Sequence, residues 1–165
     1  MLEWRKILCP VDFSEPSRRA MHVAAQLARE HRAELMLLHV YQAPGVSFPE
    51  ATFLAGDEVL QQLVEMVLKS LAEWKEEAAR AGAPEVTTHT AMGTPYAEIL
   101  RFAEKQECDL LVMGTHGRTA LARVFIGSVA EKVVRHAPCP VLTVRPDRGQ
   151  PVVAEVPQAE GPAAH

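Results

Sequence analysis

Two hydrophobic rhythms alternate along this chain. One is a short continuous apolar run: Ile7, Leu8, Cys9 and Val11; Leu35 to Leu38; Leu110 to Met113; and Val141, Leu142 and Val144. Runs of this kind, bounded by turn residues, suit strands buried on both faces, as in a parallel sheet. They predict strands over residues 6–11, 35–41, 109–113 and 140–145. A weaker, threonine-rich alternation over residues 85–92 predicts another strand, with the character of a sheet edge. The second rhythm has helical spacing. It puts Ala20, Val23, Ala24, Leu27 and Ala28 on the inner side of a helix ending near His31. It aligns Leu60, Leu63, Val64, Val67, Leu71, Trp74 and Ala78 as one stripe of a helix over residues 58–81. Tyr96, Ile99, Leu100 and Ala103 face inward on a third helix ending near Gln106, and Val129, Ala130, Val133 and Val134 share a side of a fourth ending near His136.

The punctuation between these segments agrees with them. Ser14 suits an N-cap with Pro16 in the first turn, and Thr94 suits another with Pro95 at the first helical position. Gly82 is placed to end the long helix, and Pro84 prevents its continuation. Ser128-Val129-Ala130-Glu131 fits the capping box S-x-x-E. Strand and helix thus alternate as in an α/β domain, a five-stranded parallel sheet with helices on both faces. The expected domain covers residues 1–146, and the Pro- and Ala-rich residues 147–165 are expected to be disordered. The connection over residues 42–57 carries Phe48, Phe53 and Leu54, which either cover a pocket or a partner or fold back on the core.

The chemistry is concentrated after the fourth strand. Gly114 follows the apolar run at once, Gly117 comes next, and Gly127-Ser128 opens the last helix. Glycines let a backbone approach a ligand closely, successive loop N–H groups can cradle an anion, and a helix N-terminus favours negative charge. That pattern suits a polyphosphate. Ligands of doubly wound sheets bind beyond the strand C-termini, where the strand order reverses. If the first and fourth strands are neighbours there, Asp12 and Gly114 face one crevice, and the Asp12 carboxylate can accept from ribose hydroxyls. Asp12 has an alternative role, as a cap of the first helical turn. His116 and Arg118 lie inside the Gly-spaced loop, within reach of phosphates or of solvent. His39, on an apolar strand, reads as a hydrogen-bonded core residue.

Composition narrows the classes. The 165 residues are 48% hydrophobic and 23% charged, ordinary for one globular domain, and the net charge of −4 argues against non-specific nucleic-acid binding. No apolar run approaches a membrane span and the first residues lack a signal-peptide layout, so a cytoplasmic location is expected, with neither nucleic acid nor membrane as partner. Three cysteines, Cys9, Cys108 and Cys139, are too few and too scattered for a disulfide framework or a zinc site and read as buried thiols. No metal-ligating cluster, no Ser/His/Asp constellation and no G-x-x-x-x-G-K-[ST] loop is present, so no catalytic residue is assigned.

Taken together, Gly114-x2-Gly117-x9-Gly127-Ser128, the opening Ile7-Leu8-Cys9-Pro10-Val11-Asp12-Phe13-Ser14, Leu37-Leu38-His39-Val40, Gly93-Thr94-Pro95 and Pro138 to Val144 resemble the universal stress protein family, in its ATP-binding branch. The resemblance covers roughly residues 3–146 and implies a Rossmann-like fold. It implies that Asp12, with the backbone of Pro10 and Val11, contacts ribose or adenine, and that Val40 and Met113 line the adenine pocket. Gly114, Gly117, Gly127, Ser128 and Val129 would hold ribose and phosphates. It implies ATP as the bound ligand of a regulatory, stress-response protein, with Mg²⁺ or Mn²⁺ carried on phosphate oxygens and water. It also implies a homodimer paired through the last strand, Val141–Val144, which would otherwise be an exposed edge. Ala130 departs from members that carry a hydroxyl there. A slow ATPase, or a dimerisation module without nucleotide, are the competing readings.

Overall fold

The computed structural model describes residues 3–42, 57–115 and 126–145. In them β1 (Lys6–Pro10), α1 (Glu15–His31), β2 (Glu34–Tyr41), α2 (Asp57–Arg80), β3 (Glu85–Met92), α3 (Pro95–Lys105), β4 (Leu110–Gly114), α4 (Ser128–His136) and β5 (Val141–Val144) follow one another. The sheet is parallel throughout, in the order β3-β2-β1-β4-β5. The strand order therefore reverses between β1 and β4, which pair at Ile7 with Leu110 and Leu8 with Leu111. The threonine-rich strand is an edge, as its weak alternation predicts, and β5 is the opposite edge.

The continuous apolar runs are explained by layers on both faces. Ile7, Cys9, Leu35, Leu37, Leu110 and Val112 pack under α1 and α2, with Ala20, Met21, Ala24 and Ala28 of α1 opposite them. Their alternating neighbours Leu8, Met36, Leu38, Leu111 and Met113 pack under α3 and α4, against Ile99, Ala103, Ala130 and Val133. Each side chain of a fully buried Leu or Ile contributes about 1.5–3 kcal/mol by leaving water.

Two inward assignments fail. Val67, Leu71, Trp74 and Ala78 of α2 are buried, but Leu60 is exposed, and Val59, Met66 and Leu68 are more exposed still. Met66 and Leu68 flank the buried Val67 and lie on the helix face turned away from it; for Val59 and Leu60, in the first turn, length is the reason. The 24 residues of α2 span about 36 Å at 1.5 Å each, whereas the 8 residues of β3 span about 26 Å. The first turns of the helix run past the strands that could cover them. On α4, Ala130 and Val133 are buried while Val134 is exposed.

Ser14 caps α1 as expected, accepting from the Ser17 N–H at 3.3 Å. Thr94 occupies the N-cap position of α3 without a side-chain capping bond. Of the sequence expectations, the 42–57 connection except its ends, the tail from residue 146, His116, Gly117 and Arg118 lie outside the described residues. Among the described residues no helix is long and apolar enough to cross a membrane.

Candidate functional site

At the strand C-termini the sheet opens between β1 and β4, and backbone chemistry explains why. In a parallel strand, N–H and C=O of alternate residues point to alternate neighbours. The Lys6 carbonyl accepts from Asp109 on the β4 side, so even-numbered residues of β1 face β4. Pro10 would be the next to donate there and has no N–H. Pairing of β1 with β4 stops at Leu8, and the two chains part.

On the other side β1 leaves β2 one step later. Val11 N–H donates to the Leu38 carbonyl at 2.8 Å. Continued pairing would bring the Val40 N–H to the Val11 carbonyl, but among the described residues that bond is not made. Instead Nδ1 of His39 lies 2.8 Å from the Val11 carbonyl. A carbonyl can only accept, so Nδ1 carries the proton. The chain then turns at Phe13, whose φ of +63° is left-handed, a conformation costing roughly 1–2 kcal/mol for a residue with a Cβ. Aromatic contacts hold it there: the Phe13 ring stacks on His39, centroids 4.5 Å apart, and meets Trp74 edge-on at 5.5 Å. Asp12 closes the turn, its Oδ1 accepting from the Ser14 N–H at 3.0 Å and from the Ser14 hydroxyl. Asp12 therefore holds the turn and also lines the cleft.

The far wall is the start of α4. Ser128 is not its N-cap. Gly127 takes that position with no side-chain cap, and Ser128 is the first helical residue, so the capping-box reading is corrected. The reason lies in the preceding loop, where Gly127 N–H donates to the Thr115 carbonyl at 2.6 Å and fixes the entry one residue earlier. Glu131 N–H makes the first intrahelical bond, to the Gly127 carbonyl at 2.9 Å. The N–H groups of Ser128, Val129 and Ala130 thus take no bond within the helix and stand at the positive end of its dipole.

Between these walls is a cleft of about 330 Å³. Leu38, Val40, Ile99 and Met113 give it an apolar floor, and Asp12, Ser17, Thr115, Gly127 and Ser128 a polar rim. Pro10, Val11, Asp12, Val40, Met113, Gly114, Gly127, Ser128 and Val129, all singled out from the sequence, line this one cleft. Gly117 lies outside the described residues. Ser17, Leu38, Pro95, Ile99 and Thr115 line it too and were not singled out for it, and Ala130, noted from the sequence only for lacking a hydroxyl, lines it as well. Leu38 carried a signal, being two residues before Val40 on the same face of its strand. Ser17 carried none, because its hydroxyl reaches the Asp12 N–H, at 3.3 Å, only once the helix has turned. No cationic side chain lines the cleft among the described residues.

The thiols are not poised for chemistry. Burial pushes Cys9 far above the usual thiol range, and Cys108, at the opposite end of the sheet, up to about 12. Cys139 is partly exposed, against the expectation of burial, and is also raised, chiefly by desolvation.

The family model described as the universal stress protein family matches residues 3–145. The chain belongs to the universal stress protein family. The universal stress protein MJ0531 of Methanocaldococcus jannaschii is 39% identical over 146 residues, 86% of this chain and 82% of its own. Among solved structures, universal stress protein UspA from Lactobacillus plantarum superposes with a TM-score of 0.77 at 30% identity, over 87% of this chain and 99% of its own. A universal stress protein solved in complex with cAMP superposes with a TM-score of 0.65 at 26% identity, over 87% and 98% of the two chains. The parallel five-stranded sheet is thus the universal stress protein fold.

Proposed function

We propose that the cleft binds ATP, and that this universal stress protein is a cytoplasmic, homodimeric regulator that uses the nucleotide as a bound ligand. One observation carries the reading. An apolar slot flanked by strand backbone at one end and three helix N–H groups without intrahelical partners at the other lie across a single opening. By alternation the N–H and C=O of Val40 face that slot. They match an adenine edge, N6–H₂ donating to the carbonyl and N1 accepting from the N–H. Guanine presents the opposite pair, with O6 as acceptor and N1–H as donor. Asp12 would accept from ribose hydroxyls. Gly114, Gly127, Ser128 and Val129 would hold phosphates through backbone N–H groups and the Ser128 hydroxyl, with Gly117 joining them. Mg²⁺ or Mn²⁺ would sit on phosphate oxygens and water. The cAMP complex of a relative supports an adenine nucleotide as the ligand class.

The dimer would form at β5. Pro140 and Val144 turn their carbonyls to β4, accepting from Leu111 and Thr115, so Val141 and Thr143 face outward. Leu142 and, on the adjoining helix, Val134 are exposed. An outward row of backbone groups beside exposed apolar side chains suits a second copy of the strand.

Calorimetric titration of the full chain with ATP, with and without Mg²⁺, tests the ligand, with GTP as the comparison. Saturable heat with ATP and much weaker heat with GTP is expected. No binding at millimolar ATP would end the proposal.

A further inference from the structure

We propose that His39 is a positioning residue that keeps the Val40 N–H turned to the cleft by occupying the Val11 carbonyl in its place. This rests on the adenine-nucleotide reading above. The ring is buried, Nδ1 is 2.8 Å from the Val11 oxygen, and its face is clamped by Phe13. Phe13 is in turn backed by Trp74 of α2, and the Arg18 guanidinium lies 5.2 Å from the Trp74 ring centre. These contacts hold the ring with its Nδ1 donor at the end of β1.

The competition is one of direction: a carbonyl has two lone pairs, but with the chain turned at Phe13 the Val11 oxygen meets the ring at 2.8 Å and, among the described residues, takes no bond from the Val40 N–H. Val11 is buried, so its carbonyl needs a donor. Among the described residues two stand on its side of the sheet: the ring of His39, and the Val40 N–H that the ladder would supply. While the ring donates, β1 can turn away at Phe13 and the slot between β1 and β2 stays open at the level of Val40. Without it, the Val11 carbonyl recovers its bond by taking the Val40 N–H, and the sheet zips one step further. The group that would read N1 of the base is then spent inside the ladder.

The test uses the full chain with His39→Leu, which keeps an apolar body without a donor, and His39→Asn, whose amide nitrogen stands near the Nδ1 position. ATP affinity is read by calorimetry. Imidazole ¹⁵N spectra of the wild type give the tautomer. We expect ATP binding weakened about tenfold or more in His39→Leu and within about threefold of wild type in His39→Asn, the difference one buried hydrogen bond makes. We expect a wild-type His39 protonated on Nδ1. A folded His39→Leu that binds ATP as the wild type does, a His39→Asn as weak as His39→Leu, or a wild-type ring protonated only on Nε2 would each overturn the inference while leaving the nucleotide reading intact. If His39→Leu does not fold, the Asn variant and the tautomer decide the matter. A wild type that binds no ATP removes the reading and the inference together.

Discussion

Asp12 offers the sharpest separation of fold from ligand. Its Oδ1 accepts from the Ser14 N–H at 3.0 Å and from the Ser14 hydroxyl. Asp12→Ala removes both charge-assisted bonds, a loss of about 3–6 kcal/mol at about 1.5–3 each, seen as a melting point lowered by about 6–24 °C. Asp12→Asn keeps an Oδ1 in place without the charge and should melt between the wild type and Asp12→Ala. The two substitutions act differently on ATP. A charge-assisted hydrogen bond to a ribose hydroxyl is worth about 1.5–3 kcal/mol, so Asp12→Asn should bind ATP about tenfold or more weakly. An opposing term exists, because the carboxylate repels the phosphates. At about 10 Å in a water-like dielectric each phosphate charge contributes roughly 0.4 kcal/mol, so the roughly four charges of ATP oppose binding by about 1.6 kcal/mol unscreened, which salt with a Debye length of about 8–10 Å cuts to roughly 0.6 kcal/mol. The hydrogen bond therefore wins. Thermal melting without ligand and calorimetry with ATP, on both variants, read the two effects apart. An Asn variant with wild-type or tighter ATP binding would refute the ligand role and leave Asp12 a turn residue.

Three further outcomes follow from the geometry. Ser128→Ala should leave the melting point nearly unchanged, within about 0.5 kcal/mol of stability, because Gly127 rather than Ser128 is the N-cap; its ATP affinity should fall severalfold, read by the same calorimetry. Thr143→Pro should spare the β4 pairing, since its N–H faces outward, and weaken the dimer; unchanged dimer mass by sedimentation would argue against pairing through β5. His89 is held below its ordinary 6.5, mainly by desolvation, with the Glu34 carboxylate pulling the other way. The unfolded chain then takes up its proton first, so stability should fall as pH drops below about 6.5 towards the lowered value. His89→Gln should flatten that slope in melting curves taken across the window.

Much of this was legible in the chain, for identifiable reasons. The buried strands announce themselves because both faces are covered, leaving Leu110 to Met113 no polar position. The edge character of β3 is visible because its faces are half-exposed. The glycine spacing and the turn after the first strand pointed to Asp12, Gly114, Gly127 and Ser128, the family resemblance added Pro10, Val11, Val40, Met113 and Val129, and all nine line one cleft. What could not be read was set by distance in space. Whether Leu60 is covered depends on how far β3 reaches beneath α2. Whether Ser128 or Gly127 caps α4 depends on a bond from Gly127 to Thr115, across the loop. The service His39 renders depends on β1 departing before β2 does, which neither segment reveals alone.

The floor of the cleft is not separate from the interior. Leu38, Ile99, Met113 and Ala130 line it and also belong to the hydrophobic layer beneath α3 and α4. That layer has a gap wherever the opening holds only water, and an occupant of matching shape completes it. Any molecule held there at a hundred times its dissociation constant adds about 2.7 kcal/mol to the free energy of unfolding. The lifetime of the chain against heat and proteases would then track the supply of that molecule, making abundance itself a slow record of metabolic state.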